Sequence, residues 1–382
     1  MPPTTMRIAI IHDYLNQMGG AENVLLTLHE IFPEAPIYTS LYRPEAMPAA
    51  FRSLDIRTTF LQKLGPFTRY PRHQKLLPLY PVAFEQLDLR EYDIVISNSS
   101  AWCKGVITRE DTRHICYCLS PMRFAWNTHE YLAGERFGWF ARRILPLTLT
   151  WIRAWDVAAS ARVDDFIAIS RVVAARVQKF YRRESTILFP PVDTTLFTPS
   201  DQIDDYFLVV SRLVPYKRVD LAVRAFNRLG LPLRIIGDGR DRGRLEGMAQ
   251  ANVQFLGYVD DAERKRHLSR CRALIFPGEE DFGLVPVETQ ASGRPVIAYA
   301  AGGALDTVIE GETGLFFHTQ EVGALCDAVE RFATMEFSVE RITAHATTFD
   351  KSVFKERIEA LVESTPGHPH LPQGPGTQSS LT

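Results

Sequence analysis

Residues 273–299 read ALIFPGEEDFGLVPVETQASGRPVIAY. The stretch opens on a short apolar run, 273–277, and passes through an acidic loop containing Gly278 and Gly283. Pro286 then suits the first turn of a helix, where a missing N–H and a fixed φ cost nothing. A second apolar run, 295–299, closes the unit. Strand, loop, helix and strand in so few residues is the repeating unit of a parallel sheet.

The same alternation extends in both directions. Upstream, buried strands are expected at 206–211, 233–237 and 253–258, and downstream at 314–317. Between them Ala222, Ala225, Phe226 and Leu229 follow helical spacing, with Arg224 and Arg228 on the opposite face. The first half carries its own series, at 7–12, 36–41, 92–97, 114–119, 163–169 and 186–189. Two series imply an α/β protein with two doubly wound parallel sheets. The Pro190-Pro191 pair interrupts the alternation, because proline removes donors and forces extended backbone. The expected division is therefore 1–191 and 192–349, a last helix over 350–363, and a Pro-, Gly- and Ser-rich tail at 364–382 expected to be disordered. Two stretches break the pattern: 43–90, which is proline-punctuated, and 139–155. Both mix arginines and lysines with aromatic residues.

Composition agrees with two ordinary cores. The chain has 382 residues, 46% hydrophobic and 23% charged, against roughly 100–150 residues for one domain. With 43 Lys and Arg against 45 Asp and Glu, the net charge of −2 gives no bulk attraction to nucleic acid. Five scattered cysteines suggest reduced thiols and a cytoplasmic location, with neither a disulfide framework nor a zinc pattern. The apolar stretch 144–152 is shorter than the ~20 residues a spanning helix needs, and residues 1–14 do not resemble a signal peptide.

Three constellations could carry chemistry. Gly19 and Gly20 stand between the first strand, ending in His12, and its helix, where backbone amides and the helix dipole can meet a phosphate; the same pair also suits a tight turn. Arg212 and Lys217 lie on one strand-to-helix loop, placed to converge on a diphosphate or to face solvent. Glu280 sits in the 278–283 loop and Glu288 in the following helix, where a carboxylate can accept two hydrogen bonds from a ribose diol or offset a helix dipole. Gly237, Gly239 and Gly243 come close to a dinucleotide fingerprint, but the third glycine is one residue late. No Walker loop, paired-histidine helix or Asp-x-Asp triplet is present, so a bound diphosphate would be neutralised by arginine, lysine and amides.

Together these motifs resemble the family 4 retaining glycosyltransferases, which have two facing Rossmann-like domains (the GT-B fold). The resemblance rests on Glu280 and Glu288, on Gly293-Arg294-Pro295-Val296-Ile297-Ala298, on Gly302-Gly303, on Ser211-Arg212 with Lys217-Arg218, and on Gly19-Gly20-Ala21-Glu22. The run from Tyr117 through Ser120-Pro121-Met122-Arg123-Phe124-Ala125 to Trp126 is similar to a subgroup rich in mannosyltransferases of polysaccharide and lipid-linked glycan assembly. The sequence departs from that subgroup at Leu119, where histidine is common, at Ser120 for threonine, and at Asp306 for glutamate.

The resemblance implies roles residue by residue. Arg212 and Lys217 bind the donor diphosphate, Glu288 the ribose, and Glu280 the transferred sugar. Gly19, Gly20 and the amides of Phe282, Gly283, Leu284 and Val285 cradle phosphate and sugar, while Leu256, Gly257 and Tyr258 lie near the base. His12, Arg123, Trp126 and His129 are candidates for the acceptor side, and the last helix crosses back to the first domain. The implied reaction moves a hexose, mannose favoured, from a GDP- or UDP-sugar to a glycan or lipid-linked acceptor, with no metal and no further cofactor. The basic and aromatic residues at 63–75 and 139–155 suit docking at the inner face of an anionic membrane, or equally a solvent or interdomain face. A nucleotide-sugar epimerase, a dinucleotide-dependent oxidoreductase and a non-catalytic sugar-nucleotide binder are the other readings. The first would need no acceptor, and the second would need an intact glycine fingerprint.

Overall fold

The computed structural model describes residues 6–68, 72–127 and 139–364. Two parallel sheets organise it. The first is ordered β3-β2-β1-β4-β5-β6-β7, comprising β1 (Ile8–His12), β2 (Ile37–Thr39), β3 (Ile56–Thr58), β4 (Ile94–Ser99), β5 (Arg113–Cys118), β6 (Asp165–Ala168) and β7 (Thr186–Ile187). The second is ordered β10-β9-β8-β11-β12-β13, comprising β8 (Phe207–Val210), β9 (Leu233–Ile236), β10 (Val253–Gly257), β11 (Leu274–Phe276), β12 (Val296–Tyr299) and β13 (Gly314–Phe317). The central strands are short and apolar because helices cover both faces of each sheet. Ile10 and Ile96 pack into one core cluster and Ala9 and Val95 into another, so the two faces of the first sheet are both buried.

β3 lies in the stretch that broke the sequence alternation. It is an edge strand of three residues, and Arg57 and Thr58 are exposed, so no apolar run announces it. Arg57 is held by Asp55 and donates to the hydroxyls of Tyr38 and Tyr92 at 2.8 and 3.1 Å. The other irregular stretch is a helix, Trp139–Ser160, with Pro146 inside it. The near-fingerprint glycine Gly237 has φ 128°, and a Cβ there would stand 1.9 Å from the Ser211 carbonyl oxygen. That glycine makes room for the neighbouring loop.

The chain leaves the first sheet after β7 and enters the second at β8. The return segment runs beside this crossing: Val192 N–H donates to Phe349 O at 3.1 Å and Lys351 N–H to Val192 O at 3.0 Å. The terminal helix Lys351–Glu363 then packs on the first domain. Phe354 meets the Tyr117 ring edge-on at 5.4 Å, Lys351 and Lys355 reach Glu30, and Arg113 donates to Leu361 O at 2.9 Å. The expected disorder of the tail concerns residues that lie outside the described set from 365 onward. Among the described residues no helix is long and apolar enough to cross a membrane.

Candidate functional site

In an open parallel sheet, loops leaving two adjacent strands toward opposite faces leave a crevice at the strands' carboxyl ends. In the second sheet the order of strand addition reverses between β8 and β11, which are themselves parallel. The β8 loop carries Arg212 and Lys217, and the β11 loop carries Glu280 through Gly283. These two loops touch: a Cβ on Gly278 would come 2.8 Å from Lys217 O, a distance only glycine accommodates. Lys217 and Glu280 form an ion pair, with side chains 13% and 23% exposed. Arg212 donates to the Tyr216 hydroxyl at 3.2 Å. Arg218 has φ 53° and donates to Gln320 at 2.8 Å, and Gln320 in turn donates to Pro277 O at 2.9 Å.

The β11 loop feeds the helix Leu284–Ala291, with Gly283 at its N-cap. Phe282 is buried, stacked on Phe189 at 5.6 Å and edge-on to Phe349 at 5.8 Å. Gly303 N–H donates to Glu280 O at 2.8 Å, and a Cβ on Gly303 would stand 2.2 Å from Phe282 backbone. Glu288 lies within the helix, paired with Arg264 from the helix Asp261–Arg270. Burial pushes the Glu288 carboxyl up, against the Arg264 guanidinium that pulls it down. At the end of β10, Leu256 is half-buried, Gly257 has φ 70°, and Tyr258 is 91% exposed.

In the first sheet the order of strand addition reverses between β1 and β4. Past β1 the glycine pair opens the helix Gly20–Ile31, and a Cβ on Gly20 would lie 2.9 Å from Leu284 Cδ1. The amino ends of two helices, one from each domain, therefore face each other. His12 is buried, 3.3 Å from Asn98 Nδ2 and 3.5 Å from Glu22. Trp126 is half-buried; its indole N–H donates to Asp156 at 2.7 Å and its ring stacks on Phe180 at 4.5 Å. Arg123 reaches out of its domain to Asp281, with Nε 2.7 Å from Oδ2. Burial works against the Arg123 charge, and Asp281 more than restores it, so the guanidinium stays above its ordinary value. Leu119 packs partly buried on the core, and the buried Ser120 Oγ has no hydrogen-bond partner among the described residues. His129 lies outside the described residues.

Several polar contacts around these loops and in the first-domain core were not visible in the sequence. Asp13, buried, accepts five hydrogen bonds from the loop after β4: the N–H groups of Ser100, Ala101, Trp102 and Cys103 and the Ser100 hydroxyl, at 2.7–2.9 Å. Asp156 is a buried hub for Lys104, Trp126 and Tyr181. Asp281 takes Arg176 as well as Arg123, and Arg176 stands 3.4 Å from Glu279. Among the described residues no group of three or more His, Cys, Asp or Glu side chains is arranged to hold a metal.

Two family models match adjoining parts of the chain: "Glycosyltransferase Family 4" over residues 18–196 and "Glycosyl transferases group 1" over 197–349. The chain belongs to the family 4 glycosyltransferases. It is 29% identical over 241 residues to the D-inositol 3-phosphate glycosyltransferase of Mycobacteroides abscessus, covering 56% of this chain and 52% of that one. It is also 29% identical over 239 residues to the GDP-mannose-dependent alpha-(1-6)-phosphatidylinositol monomannoside mannosyltransferase of Mycolicibacterium smegmatis, covering 54% and 60%. The chain thus spans about half the length of the curated relatives it matches. Its fold follows the crystal structure of Anabaena Alr3699/HepE in complex with UDP, with a TM-score of 0.68 at 17% identity over 94% of this chain and 100% of that one.

Proposed function

We propose that the protein transfers a hexose from a nucleotide diphosphate sugar to a hydroxyl of a glycan or lipid-linked acceptor, with retention of configuration. The observation that carries this reading is the pairing of Lys217 with Glu280 beside Arg212 at the switch point of the second sheet, opposite the Gly20 helix end. Breaking the donor's glycosidic bond leaves an oxocarbenium-like sugar and a departing nucleoside diphosphate. The growing negative charge falls where Arg212, Lys217 and the amides before the Leu284–Ala291 helix converge. Glu280 takes hydroxyls of the transferred sugar, and Glu288 takes the ribose diol. The leaving phosphate removes the acceptor's proton on the face it vacates, which retains the configuration. With these cations present, turnover is expected to continue in a chelator. His12, Arg123 and Trp126, all from the first domain, remain the candidates for the acceptor side.

GDP-mannose is the favoured donor, on the name of the mycobacterial relative, with UDP-sugars next. On the Trp139–Ser160 helix Leu147 and Trp151 are 73% and 46% exposed, and Arg143 is exposed. That mixture suits docking on the anionic inner face of a membrane that carries a lipid-linked acceptor. A thermal-shift panel of GDP-, UDP-, ADP- and dTDP-sugars tests the donor: GDP-mannose raises the midpoint most, and no shift with any nucleotide sugar would refute the reading. Flotation with anionic vesicles at low salt tests docking; absence of binding removes it.

A further inference from the structure

Three consecutive side chains of the β11 loop go to three different parts of the molecule. Glu280 pairs with Lys217 in its own domain. Asp281 pairs with Arg123 and Arg176, both from the first domain. Phe282 packs on Phe189 and Phe349, one on each of the two segments by which the chain crosses between domains. The Asp281 carboxylate is 11% exposed, and each oxygen has its own arginine: Oδ2 takes Arg123 and Oδ1 takes Arg176.

Arg176 lies on the helix Arg171–Tyr181, whose amino end makes a second crossing. There Arg171 N–H donates to Asp306 Oδ2 at 3.0 Å, and its guanidinium stands 3.3 Å from Oδ1. This helix therefore meets the second domain at the loops after both β11 and β12. Gly303, after β12, donates its N–H to the Glu280 carbonyl, which ties the two loops together.

We infer that Asp281 is a positioning residue for the sugar-transfer reaction: Arg123 and Arg176 hold it from the opposite domain, and thereby fix the adjacent Glu280 only when the domains are together. When the domains separate, the carboxylate exchanges both arginines for water, and the opposite domain no longer holds the loop that carries it. Donor binding needs mainly second-domain groups, whereas turnover needs the loop fixed. Loss of the clasp therefore lowers kcat more than it raises the donor KM. The kinetic part of this inference rests on the proposed transferase activity; its structural part does not.

The test uses the full chain, with Asp281→Asn, Arg176→Ala and the double variant. Small-angle X-ray scattering at low and high salt reads the separation of the domains, and initial rates with GDP-mannose and with UDP-glucose read the chemistry. Each single variant is expected to increase the radius of gyration at low salt, as high salt does for the parent, and the double variant to match the Asp281→Asn single. On whichever donor the parent turns over, kcat is expected to fall about tenfold or more with KM within about threefold. An unchanged radius in both single variants would overturn the inference. So would equal changes in kcat and KM, or effects that multiply in the double variant. If the parent turns over none of the GDP-, UDP-, ADP- and dTDP-sugars, the transferase reading has failed and the scattering alone decides the clasp.

Discussion

Truncating Lys217 to alanine removes two things at once. The first is the cation proposed to bind the diphosphate; a charge-assisted hydrogen bond contributes about 1.5–3 kcal/mol. The second is the counter-charge of Glu280. That carboxylate is 23% exposed, so solvent screening limits the cost of leaving it unpaired beside a diphosphate to about 1–2 kcal/mol. The loops cannot readily shift to compensate, because Lys217 backbone lies against Gly278 at a distance that excludes even a Cβ. Together the terms amount to about 2.5–5 kcal/mol, a loss of about 10² to 5 × 10³ in kcat/KM. Arg212→Ala loses one charged contact and is expected to cost about 10- to 100-fold, and Lys217→Arg, which keeps the charge, less than Lys217→Ala. The assay is nucleotide release with the donor that the thermal-shift panel selects, with unfolding midpoints as a control. If Lys217→Ala or Arg212→Ala stays within about twofold of the parent, the assignment of these residues to the leaving group is refuted.

Acid pH is expected to reduce donor kcat/KM through Glu288, since a carboxylate must be ionised to accept both ribose hydroxyls. Burial raises this group above the ordinary carboxylate range, so activity is full above the raised value and lost as pH falls through it; Arg264→Ala removes the opposing cation and moves the limb of the pH–kcat/KM profile to still higher pH. Asp156→Ala leaves the Lys104 ammonium, 1% exposed, without its counter-ion and is expected to lower the unfolding free energy in urea by about 3–5 kcal/mol. Gly303→Ala places a methyl 2.2 Å from the Phe282 backbone and displaces the β11 loop. Calorimetry with GDP and UDP is expected to show affinity reduced by about tenfold or more.

Most of the architecture is legible in apolar runs such as Ile8–His12 and Phe207–Val210, because parallel strands buried on both faces need continuous hydrophobic residues. β3 is hidden for the converse reason, since an edge strand with one face in solvent carries Arg57 and Thr58. On the site, strand-end position, spacing and the family resemblance together drew attention to Arg212, Lys217 and Glu280, which the fold brings to adjacent loops. Their partners were not readable. Asp281 meets arginines 158 and 105 residues away, and Asp13 organises a loop some 87–90 residues on. Charged residues look alike in a sequence whether they face solvent or cross a domain boundary. Spacing places Arg224 on the exposed side of its helix, but only the folded chain shows Arg176 on Asp281.

The most direct test of the account is the stereochemistry of the product. Incubating the parent with GDP-mannose, an acceptor glycan and a chelator, and reading the anomeric proton by NMR, is expected to give an α-linked product from the α-linked donor with GDP released in step. A β-linked product, or no nucleotide release from any of the four classes of sugar nucleotide, would contradict it.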